Sequence, residues 1–132
     1  MSEENLAAVR AVYERWAAGD FRAGLDLFDP EIVFVMNPGF PDAGVYHGVA
    51  GIGAYTRGFL EAWGRIAIEA EEITDAGTNV LAAVRQHGVG TGSGAVTDLR
   101  YSQVWFFHGR KVVRLENFRE QVDALDAAGL SG

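Results

Sequence analysis

The chain has 132 residues, which we read as a single domain over 1–132, because two halves would each be too small to bury a good core. Its formal net charge of −7 disfavours nucleic acid and anionic membrane surfaces as partners. Cysteine is absent, which excludes disulfides, thiolate metal sites and cysteine nucleophiles, and fits a reducing compartment.

The first predicted element is a helix in which Leu6, Val9, Val12, Tyr13, Trp16 and Ala17 recur at three- and four-residue steps. Ser2 is placed as its N-cap, with acids in the first turn and Gly19 after its end. Asp20 is expected to cap a short second helix, Phe21 to Phe28, stopped by Asp29-Pro30. Ile32 to Met36 reads as a compact strand. Asn37 to Gly44, with two prolines and two glycines, reads as an irregular rim loop. A third helix is expected from Val49 to Trp63, with Ile52, Tyr55, Phe59, Leu60 and Trp63 on one side.

The pattern then changes to period two. Strands are expected over Ile66–Ile73, Val80–Val89, Val96–Phe107 and Val112–Phe118, with glycine-rich hairpin ends at Gly88, Gly90, Gly92 and Gly94. A short terminal helix, Val122 to Ala128, closes at Gly129. Strands grouped after helices argue an α+β fold: a curved antiparallel sheet wrapped as a cone around three N-terminal helices. The start Met1-Ser2-Glu3-Glu4-Asn5 lacks a basic segment before an apolar core, and no run has the length of a membrane span. A cytoplasmic location is therefore expected.

The strong chemical motifs are missing. There is no phosphate loop, dinucleotide fingerprint, His-Glu-x-x-His or Gly-x-Ser-x-Gly elbow. His47, His87 and His108 are scattered, so neither a metal site nor an organic cofactor is expected. What remains is 3 Trp, 4 Tyr and 8 Phe in a sheet curled over helices. That is an apolar interior in which a few polar groups would define a binding site.

Several segments carry a resemblance. They are Trp16-Ala17-Ala18-Gly19-Asp20, Leu27-Phe28-Asp29-Pro30-Glu31-Ile32-Val33, and His47-Gly48 followed by Ile52 and Tyr55. Gly92-Ser93-Gly94 before a long strand, the tail Gly109-Arg110-Lys111-Val112-Val113, and Ala124-Leu125 with Gly129-Leu130 complete the series. In this order, from about Asn5 to Leu130, they resemble the nuclear transport factor 2-like superfamily in its SnoaL-like and ketosteroid-isomerase-like branch. The resemblance implies a cone-shaped fold, action without metal or organic cofactor, and dimers formed through the outer sheet face. It also implies activities such as isomerase, polyketide cyclase or dehydratase, alongside non-catalytic binding modules.

In ketosteroid isomerases a helix tyrosine and a protonated strand acid hold the substrate oxygen, and an aspartate after the first strand moves the proton. Carried over, these positions fall on Tyr13, Gln103 and Asn37. Both carboxylic acids are thus amides, and an amide cannot serve as a general base. His87 is the alternative base, since imidazole titrates near neutrality and cavity histidines serve the family's dehydratases. For each of these a bland alternative stands: Tyr13 as a satisfied core tyrosine, Asn37 as an Asx turn before Pro38, His87 as a surface histidine.

Strand parity places Leu99, Tyr101, Gln103 and Trp105 on one face, and Leu115 and Asn117 inward beside them. Trp16, Tyr55, Phe59, Trp63, Tyr101, Trp105, Leu115 and Asn117 are therefore expected to wall one pocket. Val104, Phe106, Val112 and Phe118 are expected on an exposed outer face that pairs two copies into a homodimer. The expected function is capture of a hydrophobic cyclic, polyketide- or steroid-like molecule. Turnover by a cofactor-independent isomerase, cyclase or dehydratase and binding without turnover both remain open.

Overall fold

The computed structural model describes residues 2–92 and 94–130; the capping role read for the Ser2 side chain and the Ser93 of the glycine-rich segment lie outside what it describes. The order is α1 (Ser2–Ala17), β1 (Phe28–Met36), β2 (Gly44–His47), α2 (Gly48–Ala62), β3 (Trp63–Ala76), β4 (Asn79–Gly90), β5 (Val96–His108), β6 (Lys111–Phe118) and α3 (Gln121–Ala128). The α+β class stands: three helices and one curved, unclosed six-stranded sheet ordered β2-β1-β6-β5-β4-β3.

α1 forms because its apolar stripe has helical spacing and its charges suit the helix dipole, with Glu3 and Glu4 in the first turn and Arg15 in the last. Val9, Val12, Tyr13 and Trp16 are buried along that stripe. The helix ends at Gly19, whose φ of +90° suits only glycine and lets its N–H reach Trp16 O at 3.0 Å.

Phe21–Leu27 is a run of turns rather than the expected helix. The Asp20 side chain accepts from Arg22 N, a turn-forming bond that competes with helix. Gly24 then takes φ +98°, where an added Cβ would lie 3.3 Å from Val12. Trp16 Nε1 donates to Ala23 O at 3.1 Å, and Lys111 Nζ to Asp26 O at 2.6 Å, so the segment is tied at both ends. Pro30 lies inside β1, where the register shifts between Phe28 and Val33 and no ladder bond is required of it.

The sheet is antiparallel, as expected, at every pairing but one: β1 and β6 run parallel. The short strand β2, which begins where the expected rim loop ends and was not anticipated, pairs antiparallel with β1. Register shifts at Trp63/Arg65, Ala70/Glu72 and Phe106/Phe107 mark where the long strands bend. α1 packs against β3 and α2 against β1, on the concave side.

α3 lies on the opposite face, over β4, β5 and β6. There Ala124 and Ala128 cover Leu81, Val104 and Phe118. Val104 is fully buried by this packing, and Val112 belongs to the inner core. Of the face expected to be exposed, α3 thus covers Val104 and Phe118, with Phe106 half-buried beside them. Among the described residues no helix is long and apolar enough to cross a membrane.

Candidate functional site

Alternation along β5 turns Tyr101, Gln103 and Trp105 to the concave side, and the register sets Gln103 opposite Asn117 of β6. The result is a buried polar chain. Trp105 Nε1 donates to the Tyr13 hydroxyl at 2.7 Å, and that hydroxyl donates to Gln103 Oε1 at 2.5 Å. Gln103 Nε2 donates to Asn117 Oδ1 at 2.8 Å, and Asn117 Nδ2 to Met36 Sδ at 3.1 Å. Burial pushes the Tyr13 ionisation well above its usual range, against a smaller opposing effect of the Trp105 bond. Tyr13 is therefore a neutral hydroxyl with its single proton already given to Gln103.

Beside this chain lies a cavity of about 520 Å³. Trp16, Tyr55, Phe59, Tyr101, Gln103, Leu115 and Asn117 of the expected wall line it together. Phe34, Met36, Ile52, Ile68 and Gln86 line it as well, and the sequence reading missed them. Parity would have found Gln86: it sits across from Leu99, the same face as Gln103. The Tyr101 hydroxyl donates to Gln86 Oε1 at 3.2 Å. Among the described residues nothing accepts from the Gln86 amide. The cavity floor thus offers hydrogens from two neutral amides, Gln86 and Gln103.

The mouth opens between the turn segment, with Asp20, Phe21, Arg22 and Leu25, and α2, with Gly53, Thr56, Arg57 and Leu60.

Five expected positions lie elsewhere. Trp105 is fully buried behind the wall, stacked on Trp16 with ring centroids 5.7 Å apart. Tyr13 lies behind it too, bonded as above. Trp63 opens β3 and faces a separate open cleft. His87 follows inward-facing Gln86 and so points outward, where its Nε2 meets Glu69 Oε1 at 2.7 Å.

Asn37 follows inward-facing Met36 and also turns outward. Its Nδ2 donates to Glu116 Oε2 and to Asn117 O, each at 2.9 Å. Glu116 Oε1 accepts from Arg114 Nε at 2.9 Å. Asn37 is a bracket between β1 and β6, on the far side of the sheet from the cavity.

In the rim loop the Asp42 backbone carbonyl accepts from the Tyr46 hydroxyl at 2.9 Å. Burial, then Asp42, drives the Tyr55 ionisation far above its ordinary value. Tyr101 moves the same way for the same two causes. Among the described residues no three His, Cys, Asp or Glu side chains come together as metal ligands do.

The chain belongs to the SnoaL-like domain family, whose model matches residues 9–115. Its fold is that of an NTF2-like protein from Burkholderia thailandensis E264, at 25% identity over 93% of this chain and 95% of that one, with a TM-score of 0.77. A protein assigned to the SnoaL-like polyketide cyclases, from Jannaschia sp. CCS1, matches at 17% identity over 98% and 94%, with a TM-score of 0.75. TerC, co-crystallised with polyporic acid, matches at 20% identity over 95% and 98%, with a TM-score of 0.74. No curated protein sequence matches the chain.

Proposed function

We propose that this protein captures a hydrophobic, cyclic small molecule in its concave cavity. One observation carries the reading: an aromatic-walled space of about 520 Å³ whose floor presents the Gln86 and Gln103 amides. That volume is in the range of small-molecule sites, and an apolar wall with a few fixed donors is their usual chemistry. A ring system fills the wall while a carbonyl or enol oxygen takes the amide hydrogens. The family assignment and a relative's co-crystal with polyporic acid support the same class of ligand. N-phenyl-1-naphthylamine, an apolar fluorophore, tests it: binding quenches Trp16 emission and Gln86→Leu alters the affinity. No binding by this or any aromatic probe overturns the reading.

Turnover is a second reading, as a cofactor-independent isomerase, cyclase or dehydratase. The Asp42 carboxylate, whose charge acts on the cavity tyrosines Tyr55 and Tyr101, favours it, because a carboxylate near the cavity can serve as the proton acceptor. Asp42→Asn then removes turnover while leaving probe binding intact.

A further inference from the structure

The protein is strongly acidic, and five of its 11 Lys and Arg side chains are held in ion pairs with carboxylates among the described residues. Arg15, Arg85, Arg100, Arg110 and Arg114 each hold a carboxylate: Asp20, Asp98, Glu71, Glu4 and Glu116 respectively. Arg22 and Arg57 hold none among the described residues. Both line the cavity mouth, Arg22 on the turn segment and Arg57 on α2, so they stand on its two banks. The one acid at that mouth, Asp20, is already engaged by Arg15 Nε at 3.0 Å and by Arg22 N at 3.2 Å. Among the described residues lining this mouth the local balance is therefore positive, against a net charge of −7 for the chain.

We propose that the cavity selects ligands bearing an anionic group, a carboxylate, sulfonate or ionised enol, which rests at the mouth between Arg22 and Arg57 while the ring system lies inside. This rests on the reading of the cavity as a small-molecule site and adds the charge of its ligand. A guanidinium presents paired N–H donors to such a group, and both side chains are exposed and free to swing onto it. The apolar interior supplies no second counter-charge, so orientation follows: anion outward, ring inward, and any second oxygen on the Gln86 and Gln103 amides.

Two probes with the same anilinonaphthalene body make the test. One is 8-anilinonaphthalene-1-sulfonate and the other is uncharged N-phenyl-1-naphthylamine. The expected result is tighter binding of the sulfonate, weakened by added salt, with the neutral probe indifferent to salt. Arg22→Gln and Arg57→Gln should each weaken the sulfonate by roughly threefold relative to the neutral probe. Arg10→Gln, an exposed arginine away from the cavity, should change neither. Thr56→Trp, which fills the mouth, should weaken both. If the neutral probe binds but the sulfonate gains nothing, or responds to Arg10→Gln as much as to the mouth variants, the charge proposal is overturned and the cavity reading survives. If the sulfonate survives Thr56→Trp undiminished, it sits on the surface and the proposal is overturned. If neither probe binds, the cavity reading itself falls, and the proposal with it.

Discussion

The Asn37 amide donates to Glu116 Oε2 at 2.9 Å, across the junction of β1 and β6 and on the convex side of the sheet. The position that the family resemblance marks for a proton-moving aspartate therefore serves here as a clasp between two parallel strands.

Asn37→Asp places a carboxylate against Glu116 and against the Asn117 carbonyl. Two donated bonds become repulsions, and the expected loss of stability is about 1–3 kcal/mol. Denaturant unfolding measures it, and adding Glu116→Gln should recover part of the loss. No base enters the cavity, so Asn37→Asp should confer no isomerisation of a 5-ene-3-ketosteroid. A clear gain in that activity would show that Asn37 reaches the cavity after all.

Tyr13→Phe keeps the ring and removes a hydroxyl that satisfies both the Trp105 N–H and the Gln103 carbonyl. Each is then buried without a partner, and the cost is about 2–4 kcal/mol together. Because Tyr13 lies behind the cavity wall, binding of N-phenyl-1-naphthylamine to the folded variant should hold within roughly twofold, about 0.4 kcal/mol. Wild-type stability in Tyr13→Phe would contradict the bonding described here.

All four tyrosines ionise above their ordinary value, burial being the first cause at each. The folded state then keeps protons that the unfolded chain releases at about pH 10. Stability is full below that pH and falls as pH rises above it. An alkaline titration followed by tyrosinate absorbance should stay nearly flat at about pH 10 and rise together with loss of the circular dichroism signal. Four ordinary titrations in the folded protein would refute it.

A chain ending at Glu120 lacks α3 and uncovers Leu81, Val104 and Phe118. An exposed apolar patch of this kind drives association. Light scattering should show this shortened chain at a larger assembly than the intact one at equal concentration. The same state for both would mean that α3 is not what shields that face.

Periodicity carries much of this fold in the sequence. The stripe of α1 and the alternation of β3 to β6 specify both element and facing, and Gln103, Tyr101 and Leu115 were legible for that reason. The Phe21–Leu27 segment was not, because its apolar spacing is helical while Asp20 and Gly24 commit the backbone to turns. Nor was β2, four residues long and too short to show a period. Asn37 and His87 lie outside the cavity for a legible reason. Each follows an inward-facing neighbour, Met36 and Gln86, so strict alternation already points both outward. The mouth arginines carry no periodic signal, since Arg22 sits in turns and Arg57 is an ordinary exposed helix residue.

The turn segment between α1 and β1 makes one whole bank of the mouth, yet the sheet ladder resumes only where Val112 N reaches Leu27 O at 2.8 Å. Its own backbone–backbone bonds before that point are local, Leu25 N to Arg22 O and Leu27 N to Gly24 O, and the ties from Trp16 and Lys111 end on the backbone carbonyls of Ala23 and Asp26, which any sequence supplies. Doubling a loop's length costs only about 0.6 kcal/mol of closure entropy. Ligand preference in this architecture is therefore an exchangeable part. A different stretch grafted between Gly19 and Leu27 can change which molecules are admitted while every strand keeps its register, and selection can explore new chemistry there at little risk to the scaffold.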